Sequence, residues 1–346
     1  LACPGLHRTQ RVVDAGLARP PAGDPSTVFV AMADDPDAQT QYPVGWVPGD
    51  GNLIVYGLGG SGTTTALASV VLSMARQRPP DDLHVYALEF GAGELEALAP
   101  LPHVGGVVLA GERERQTRLV RHLRGELDRR RAMGAAAARA EPAVVTVIDG
   151  WSAFAAEYND YAGNAIWEAV TRVLADGPEV GLYAVVAADR AMAVTSSIAS
   201  LVRQRWALRL ADKNDYSNFG VRSAAVPEMA PGRALVAGTG QVIQIARPSD
   251  GVAAAAVRTA AVHPPATRPP LRVEPMPTEV RFAELGAAAT LEGRPWHVPV
   301  GISERSRTAA GLVAYQGEHA LVTGPARSGK STTLLAVAAA CRAGAP

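Results

Sequence analysis

The sequence predicts an α/β fold, a mostly parallel sheet flanked by helices, followed by the start of a second copy of the same unit. Between residues 26 and 256, apolar β-type runs alternate with helical ones, the pattern of strands joined by crossover helices. A strand, a glycine-rich loop and the start of a helix then recur at an offset of about 267 residues, from Gly57 to Gly324. That offset is the span of one large α/β domain.

Residues 1–25 are polar and contain prolines, and are expected to be a linker or the tail of a preceding unit. The first domain is set at 26–256. It opens with apolar runs read as strands at Val28–Ala33 and Asn52–Tyr56, and Thr64–Arg76 carries the spacing of an amphipathic helix. Leu83–Glu89 reads as a strand and Glu112–Met133 as a long Arg-rich helix. Ala143–Ile148 has the unbroken apolar character of a buried strand. Asn164–Ala175 reads as a helix, and Leu182–Ala187 and Ala207–Leu210 as strands. The stretch His263-Pro264-Pro265-Ala266-Thr267-Arg268-Pro269-Pro270 marks a stiff linker, set at 257–279. Residues 280–346 are read as the N-terminal part of the second domain.

Hydrophobic residues make up 48% of the 346 and charged ones 19%, enough apolar material for a sizeable core. The 33 basic side chains balance 33 acidic ones. No global charge therefore draws the chain to nucleic acid or an anionic membrane, although a local basic groove is compatible with that balance. The two cysteines, Cys3 and Cys341, lie near opposite ends and match no metal-ligand spacing. This argues against a disulfide framework and fits a reducing compartment. No apolar run reaches the roughly 18–20 residues that span a bilayer, and the start lacks the charged and apolar regions of a signal peptide. A first residue other than Met and an end inside an apolar helical run suggest a piece of a longer chain. Only two lysines, Lys213 and Lys330, occur on an Arg-rich background; a position that keeps lysine points to a need for a compact ammonium.

The later loop fits G-x-x-x-x-G-K-[ST] at Gly324, Gly329, Lys330 and Ser331. It lies between an apolar strand expected at Ala320–Thr323 and a helix expected at Ser331–Ala340, the context the motif requires. Glycines let consecutive backbone N–H groups converge on phosphate oxygens, and the helix N-terminus adds its dipole. Lys330 is expected on the β- and γ-phosphates of ATP as a catalytic cation, and Ser331 on Mg²⁺. Gly324, Ser328, Gly329 and Thr332 complete that cradle. The earlier loop keeps the glycines but has Thr63 at the lysine position. Gly57, Gly60, Ser61, Gly62, Thr63, Thr64 and Thr65 make a weaker ATP cradle, with Thr64 a ligand for Mg²⁺; the competing reading is a relic loop that binds nothing. Asp149 ends the strand at 143–148 and is assigned to the Mg²⁺ shell and to catalysis. The plainer reading of such an Asp is a helix cap. Gly150 stands where a water-polarising Glu usually follows, so the first domain is expected to turn over ATP very slowly, if at all.

These loops, with several ordered stretches between them, resemble the FtsK/SpoIIIE family of ring-forming, RecA-like P-loop NTPases. The closest resemblance is to the tandem-domain branch typified by the EccC ATPase of type VII secretion. The stretches are Val85–Leu95 running into Leu101-Pro102-His103-Val104-Gly105-Gly106-Val107, the charged helix 112–131, Asp149-Gly150-Trp151, the Gly181–Arg190 strand with Asp189 where a sensor Asn is common, Arg205–Asp212, and Pro231-Gly232-Arg233-Ala234-Leu235. The resemblance covers about residues 26–256 and resumes near 280. It implies ATP and Mg²⁺ as cofactors and a first domain that is regulatory or substrate-docking. The partners it implies are small helical secretion substrates or their signal segments, and neighbouring ATPase domains or subunits in a ring. The place it implies is the cytoplasmic face of the membrane, with the anchor elsewhere. Two alternatives stay open: a DNA translocase of the same family, for which nucleic acid is the partner, and a nucleotide-free scaffold.

Three further features have a functional and a plainer reading. Arg129-Arg130-Arg131 could be an arginine finger, but cations at a helix C-terminus are favourable in themselves. His103 in its Pro-His-Val-Gly turn is read as structural. Trp151, Phe154, Tyr158 and Tyr161 are read as core packing more than as an exposed docking patch.

Overall fold

The computed structural model describes residues 26–35, 38–160, 163–286, 288–304 and 308–344. Residues 1–25, with Cys3, and Tyr161 lie outside them. The chain forms two compact units, Leu1–Glu274 and Pro275–Pro346.

In the first unit the strands are β1 (Val28–Asp35), β2 (Thr40–Trp46), β3 (Leu53–Tyr56), β4 (Leu83–Glu89), β5 (Val104–Leu109), β6 (Ala143–Asp149), β7 (Leu182–Ala188), β8 (Gln204–Ala207), β9 (Arg233–Val236) and β10 (Val242–Ile245). The main helices are α1 (Thr63–Gln77), α2 (Arg113–Met133), α3 (Trp151–Tyr158), α4 (Asn164–Asp176) and α5 (Val252–Ala261). All ten strands join one sheet in the order β2-β1-β10-β9-β8-β3-β7-β6-β4-β5. From β8 to β5 every pairing is parallel. From β2 to β8 the pairings are antiparallel.

Parallel strands buried on both faces read as unbroken apolar runs, and the side-chain alternation assigns each residue to one face. In β6, Val144 and Ile148 face the core built with α2, α3 and α4, while Val145 and Val147 face the core built with α1 and α5. β3 divides the same way, with Ile54 and Tyr56 on one side and Leu53 and Val55 on the other. α1 is buried almost all round from Ala66 to Ala75. Its two interior serines find acceptors in the Ala246 and Phe29 carbonyls, at 2.7 and 2.8 Å, as buried hydroxyls must.

The last predicted strand, Ala207–Leu210, lies three residues earlier, at Gln204–Ala207. Trp206 and Ala207 pair with β3 and β9; beyond them Leu208 N–H still donates to the Tyr56 carbonyl at 2.7 Å, while the Tyr216 hydroxyl donates to the Leu208 carbonyl and accepts from Leu210 N–H. Strands β2, β5, β9 and β10 and helices α3 and α5 were not evident in the sequence. β5 carries Gly105 and Gly106, poor strand residues, yet a Cβ at 105 would stand 2.3 Å from the Tyr86 ring and 2.6 Å from the Leu271 carbonyl. The glycine is required because the Pro-rich stretch is laid along this edge. Val273 N–H donates to the Gly105 carbonyl at 2.9 Å, Arg115 donates to the Val273 carbonyl at 2.9 Å and Arg272 to that of Val104 at 2.8 Å. An exposed strand edge is thereby covered.

The arginine cluster ending α2 is bound within its own unit. Arg130 is 1% exposed and donates to Glu126 and to the Val180 and Pro142 carbonyls; Arg129 pairs with Glu126 and Glu141, and Arg131 with Asp176. The aromatic residues Trp151, Phe154 and Tyr158 pack in the core, together with Trp167 and Phe90.

The second unit holds an antiparallel pair, β11 (Trp296–Ile302) and β12 (Ala309–Ala314), and a helix α6 (Lys330–Ala343). Ala289, Val298 and Ala340 form its small core. The strand expected at Ala320–Thr323 joins no ladder, and Leu321 is 87% exposed. A parallel strand forms only against neighbours, and among the described residues β11 and β12 pair with each other.

Candidate nucleotide-binding site

The chain leaves β3 at Tyr56 and turns through 57–62 into α1. Gly60 and Gly62 take φ of +74° and +102°, values glycine adopts without penalty. A Cβ on Gly57 would meet the Ser61 hydroxyl at 2.4 Å, and one on Gly62 the Gly232 nitrogen at 3.2 Å. The loop is fixed from three sides. Gly57 N–H donates to the Ala188 carbonyl and Leu58 N–H to that of Arg209, each at 2.9 Å, and Gly232 N–H donates to the Ser61 carbonyl at 2.8 Å. α1 begins with no side-chain cap, so its first-turn amides remain open to a ligand.

Across the loop, Asp149 ends β6 in register with Glu89 at the end of β4. Thr64 donates its hydroxyl proton to Asp149 Oδ2 at 2.6 Å, and Gly150 N–H donates to Oδ1 at 3.0 Å. Burial pushes the Asp149 carboxyl up; the Thr64 bond opposes this and the Glu89 charge adds to it. Glu89 is 2% exposed, with its two oxygens accepting from Gly91 N–H at 2.7 Å and Leu95 N–H at 3.0 Å. It thus shapes the loop 90–95. Glu89 was missed as a site residue, although a carboxylate ending an apolar strand is the same signal that marked Asp149.

The glycine loop, Thr64, Asp149 and the Gly91 turn that Glu89 shapes line a cleft of about 870 Å³. Of the residues assigned from sequence, the structure brings Gly57, Gly60, Gly62, Thr63, Thr64, Thr65 and Asp149 to its wall. Ser61 lies beneath it, its hydroxyl buried with no partner. Glu94, Arg233 and Arg247 line the cleft too; Glu94 and Arg233 lie in stretches that carried the family resemblance without being singled out as site residues, and Arg247 lies in none. Asp189 lines it and accepts from the Ser152 hydroxyl. Gly150 sits at φ +73°, and a Cβ there would stand 2.7 Å from the Phe90 carbonyl oxygen. No side chain fits that position. His103 is remote from this wall. Its Nε2–H donates to the Arg78 carbonyl at 2.9 Å while Nδ1 is buried with no partner, a structural placement.

The second loop repeats the backbone pattern of the first. Arg327 and Gly329 have φ of +61° and +86°, at the positions of Gly60 and Gly62. A Cβ on Gly324 would meet the Ser328 hydroxyl at 2.5 Å, as Gly57 meets Ser61. Lys330 donates to the Gly324 and Pro325 carbonyls, at 2.9 and 2.5 Å. Ser331 and Thr332 are exposed at the start of α6.

The residues present fit a nucleoside triphosphate with a divalent cation. Gly59 and Gly60 face open space where side chains would fill the cradle, and the Thr64 hydroxyl and Asp149 carboxylate converge as hard oxygen ligands. In sequence, residues 21–250 match the model of the FtsK/SpoIIIE family. The chain is 25% identical over 337 residues to the ESX secretion system protein YukB of Bacillus subtilis, covering 91% of this chain and 22% of that protein. It is 28% identical over 339 residues to the ESX secretion system protein EccC of Thermomonospora curvata, covering 90% and 25%. The chain thus spans about a quarter of the length of these relatives. In structure it is similar to EssC (ATPases 2 and 3) of Geobacillus thermodenitrificans, with a TM-score of 0.77 at 20% identity over 95% of this chain and 67% of that one. It is likewise similar to T. curvata EccC (ATPases 2 and 3) in complex with a signal sequence peptide, with a TM-score of 0.70 at 26% identity over 94% and 63%.

Proposed function

The chain belongs to the FtsK/SpoIIIE family, and on that premise we propose that it is an ATP-binding segment of a type VII secretion motor. Its first unit holds Mg²⁺-ATP while contributing little turnover. The observation that carries this reading is the 2.6 Å bond from Thr64 to Asp149 beneath a glycine loop whose amides face a cleft. The loop amides of Gly59, Gly60, Gly62, Thr63 and Thr64 would hold the phosphates, the Ser61 N–H being taken by the Leu58 carbonyl at 3.0 Å, and Thr64 and Asp149 would hold the cation. When bound, the cation neutralises charge on the phosphate oxygens. Asp149 and Glu89 repel one another across adjacent strand ends, and a divalent cation at Asp149 offsets that repulsion.

Slow turnover follows from what the wall omits. Position 63 offers a hydroxyl where a lysine would stabilise transition-state charge, and position 150 admits no glutamate. A unit that binds and does not hydrolyse suits regulation or docking. The similar structure of T. curvata EccC in complex with a signal sequence peptide supports a secretion signal as the docked partner. We place this segment at the cytoplasmic face of the membrane and in contact with neighbouring ATPase units. The equal numbers of basic and acidic residues favour protein over nucleic acid as cargo.

The test is titration of the full chain carrying Lys330→Ala, which silences the second loop, with fluorescent ATP and Mg²⁺. Saturable, Mg²⁺-dependent binding with negligible phosphate release supports the reading. Brisk release means the account of positions 63 and 150 is wrong.

A further inference from the structure

The strand order sorts the charged groups of the cleft. Across the sheet it runs β10-β9-β8-β3-β7-β6-β4, with the phosphate loop leaving β3. Arg233 opens β9 and Arg247 follows β10, on one side of the loop. Asp189 follows β7, Asp149 ends β6 and Glu94 follows β4, on the other. The Thr64–Asp149 bond lies on this second side, and on the nucleotide-binding reading it places the cation, and with it the terminal phosphate, there. That end of the wall carries three carboxylates and, among the lining residues, neither lysine nor arginine.

Asp189 is fixed at that end by contacts on both flanks. Ala188, beside it, accepts from Gly57 N–H at 2.9 Å, which ties it to the first residue of the loop. On the other flank the Ser152 hydroxyl donates to Asp189 Oδ1. Ser152 lies in the first turn of α3, two residues past the Gly150 N–H that donates to Asp149. The contacts close a ring: Gly57 to Ala188, Asp189 to Ser152, Gly150 to Asp149, and Asp149 to Thr64, with the loop completing it. Arg190 Nε stands 3.7 Å from the other Asp189 oxygen, both side chains half or more exposed. Such a pair in water offsets little of the carboxylate's charge. Position 63, on the loop side of the ring, brings a hydroxyl.

We propose that Asp189 sets the nucleotide preference of the first unit, favouring a nucleoside diphosphate over the triphosphate. A third phosphate held by a cation on Thr64 and Asp149 brings added negative charge into the ring, beside a carboxylate and with no basic side chain lining that end. This rests on the nucleotide-binding reading of the cleft and narrows it: Mg²⁺-ATP binds, but less tightly than Mg²⁺-ADP.

The experiment compares binding of fluorescent ATP and ADP, each with Mg²⁺, to three full-length chains. All carry Lys330→Ala; the other changes are none, Asp189→Asn and Asp189→Glu. The first chain is expected to bind ADP more tightly than ATP. Asp189→Asn keeps an acceptor for Ser152 and is expected to strengthen ATP binding roughly five- to thirtyfold, with ADP binding held within about threefold. Asp189→Glu keeps the charge and is expected to keep the ADP preference, a split that a merely structural role would not show. ATP binding at least as tight as ADP binding in the first chain overturns the role of Asp189 and leaves the nucleotide reading intact. A change in Asp189→Asn that is absent, or equal for both nucleotides, overturns it too. So does a preference lost as fully with glutamate as with asparagine, because charge would not then be its cause. No binding of either nucleotide by any of the three chains refutes the nucleotide reading itself, and the role of Asp189 with it.

Discussion

At Gly150 the backbone has φ +73° and the Phe90 carbonyl oxygen stands 2.7 Å from where a Cβ would be. The missing glutamate is therefore a property of the backbone and not of one codon. Gly150→Glu is expected to leave ATP turnover unchanged and to cost roughly 2 kcal/mol or more through a left-handed non-glycine residue and a close contact. Thermal unfolding reads this as a fall in Tm of about 4–8 °C; restored turnover instead would mean the strand end can rearrange. Asp149 behaves in the opposite way. Its carboxyl is pushed up by burial first, so its protonated form is favoured by folding. Its stability contribution is present below the unfolded carboxylate range and lost as pH rises through the folded value. At neutral pH the buried charge is a cost. Asp149→Asn keeps the Gly150 bond through its carbonyl and can donate to the Thr64 oxygen. It is expected to raise Tm in the absence of nucleotide while abolishing Mg²⁺-dependent ATP binding. A variant that lost both would mark Asp149 as structural.

Among the elements, α2 shows how a polar-looking sequence builds a buried contact. Leu119, Val120, Leu123 and Leu127 face the core, and Arg130 on the same side reaches two carbonyls at the sheet's end. Burial alone would raise the Glu126 carboxyl; the bonds from Arg129 and Arg130 outweigh it and bring it down to about 2. Arg130→Ala leaves Glu126 and the Val180 and Pro142 carbonyls short of a donor, an expected loss of about 3–5 kcal/mol. Arg130→Lys recovers little of it, because one ammonium cannot reproduce the fork; denaturant unfolding of both variants checks this. The parallel strands β3, β4, β6 and β7 were legible because each is apolar on both faces, and the loops because glycine spacing is itself the mechanism. What stayed hidden is set by tertiary contact. β9 and β10 are four residues each and exist by pairing with β1 and β8. β5 reads as a turn until Leu271 and Val273 are seen against its glycines. Glu94, Arg233 and Arg247 enter the site through chain folding; the stretches that hold Glu94 and Arg233 marked the family and not the site, and no motif announces Arg247.

On the scale of the whole first unit, the edge covered by residues 263–274 gives folding an acid-sensitive side. His103 lies beneath it, ring against ring with His263 at 4.7 Å, while His263 bonds the Ala75 carbonyl at 2.6 Å. His84 bonds the Arg268 carbonyl at 2.9 Å. Burial drives the His103 imidazole down to about 4, because a second proton would have to sit on Nδ1, which has no acceptor. Burial lowers His84 and His122 as well. A histidine whose folded value is depressed stabilises the fold fully above its unfolded value, about 6.5, and that contribution is lost as pH falls toward 4. Unfolding midpoints are therefore expected to hold steady from pH 8 to 7 and then to decline from about 6.5. That onset lies well above the carboxylate range in which Glu126 gives up its own contribution. His103→Gln keeps a donor for the Arg78 carbonyl and cannot titrate. It should flatten the decline between pH 6.5 and 4 while costing some stability at pH 7.5. If the variant's midpoints fall with pH as steeply as the parent's, the acid sensitivity belongs to His84, His122 or another group.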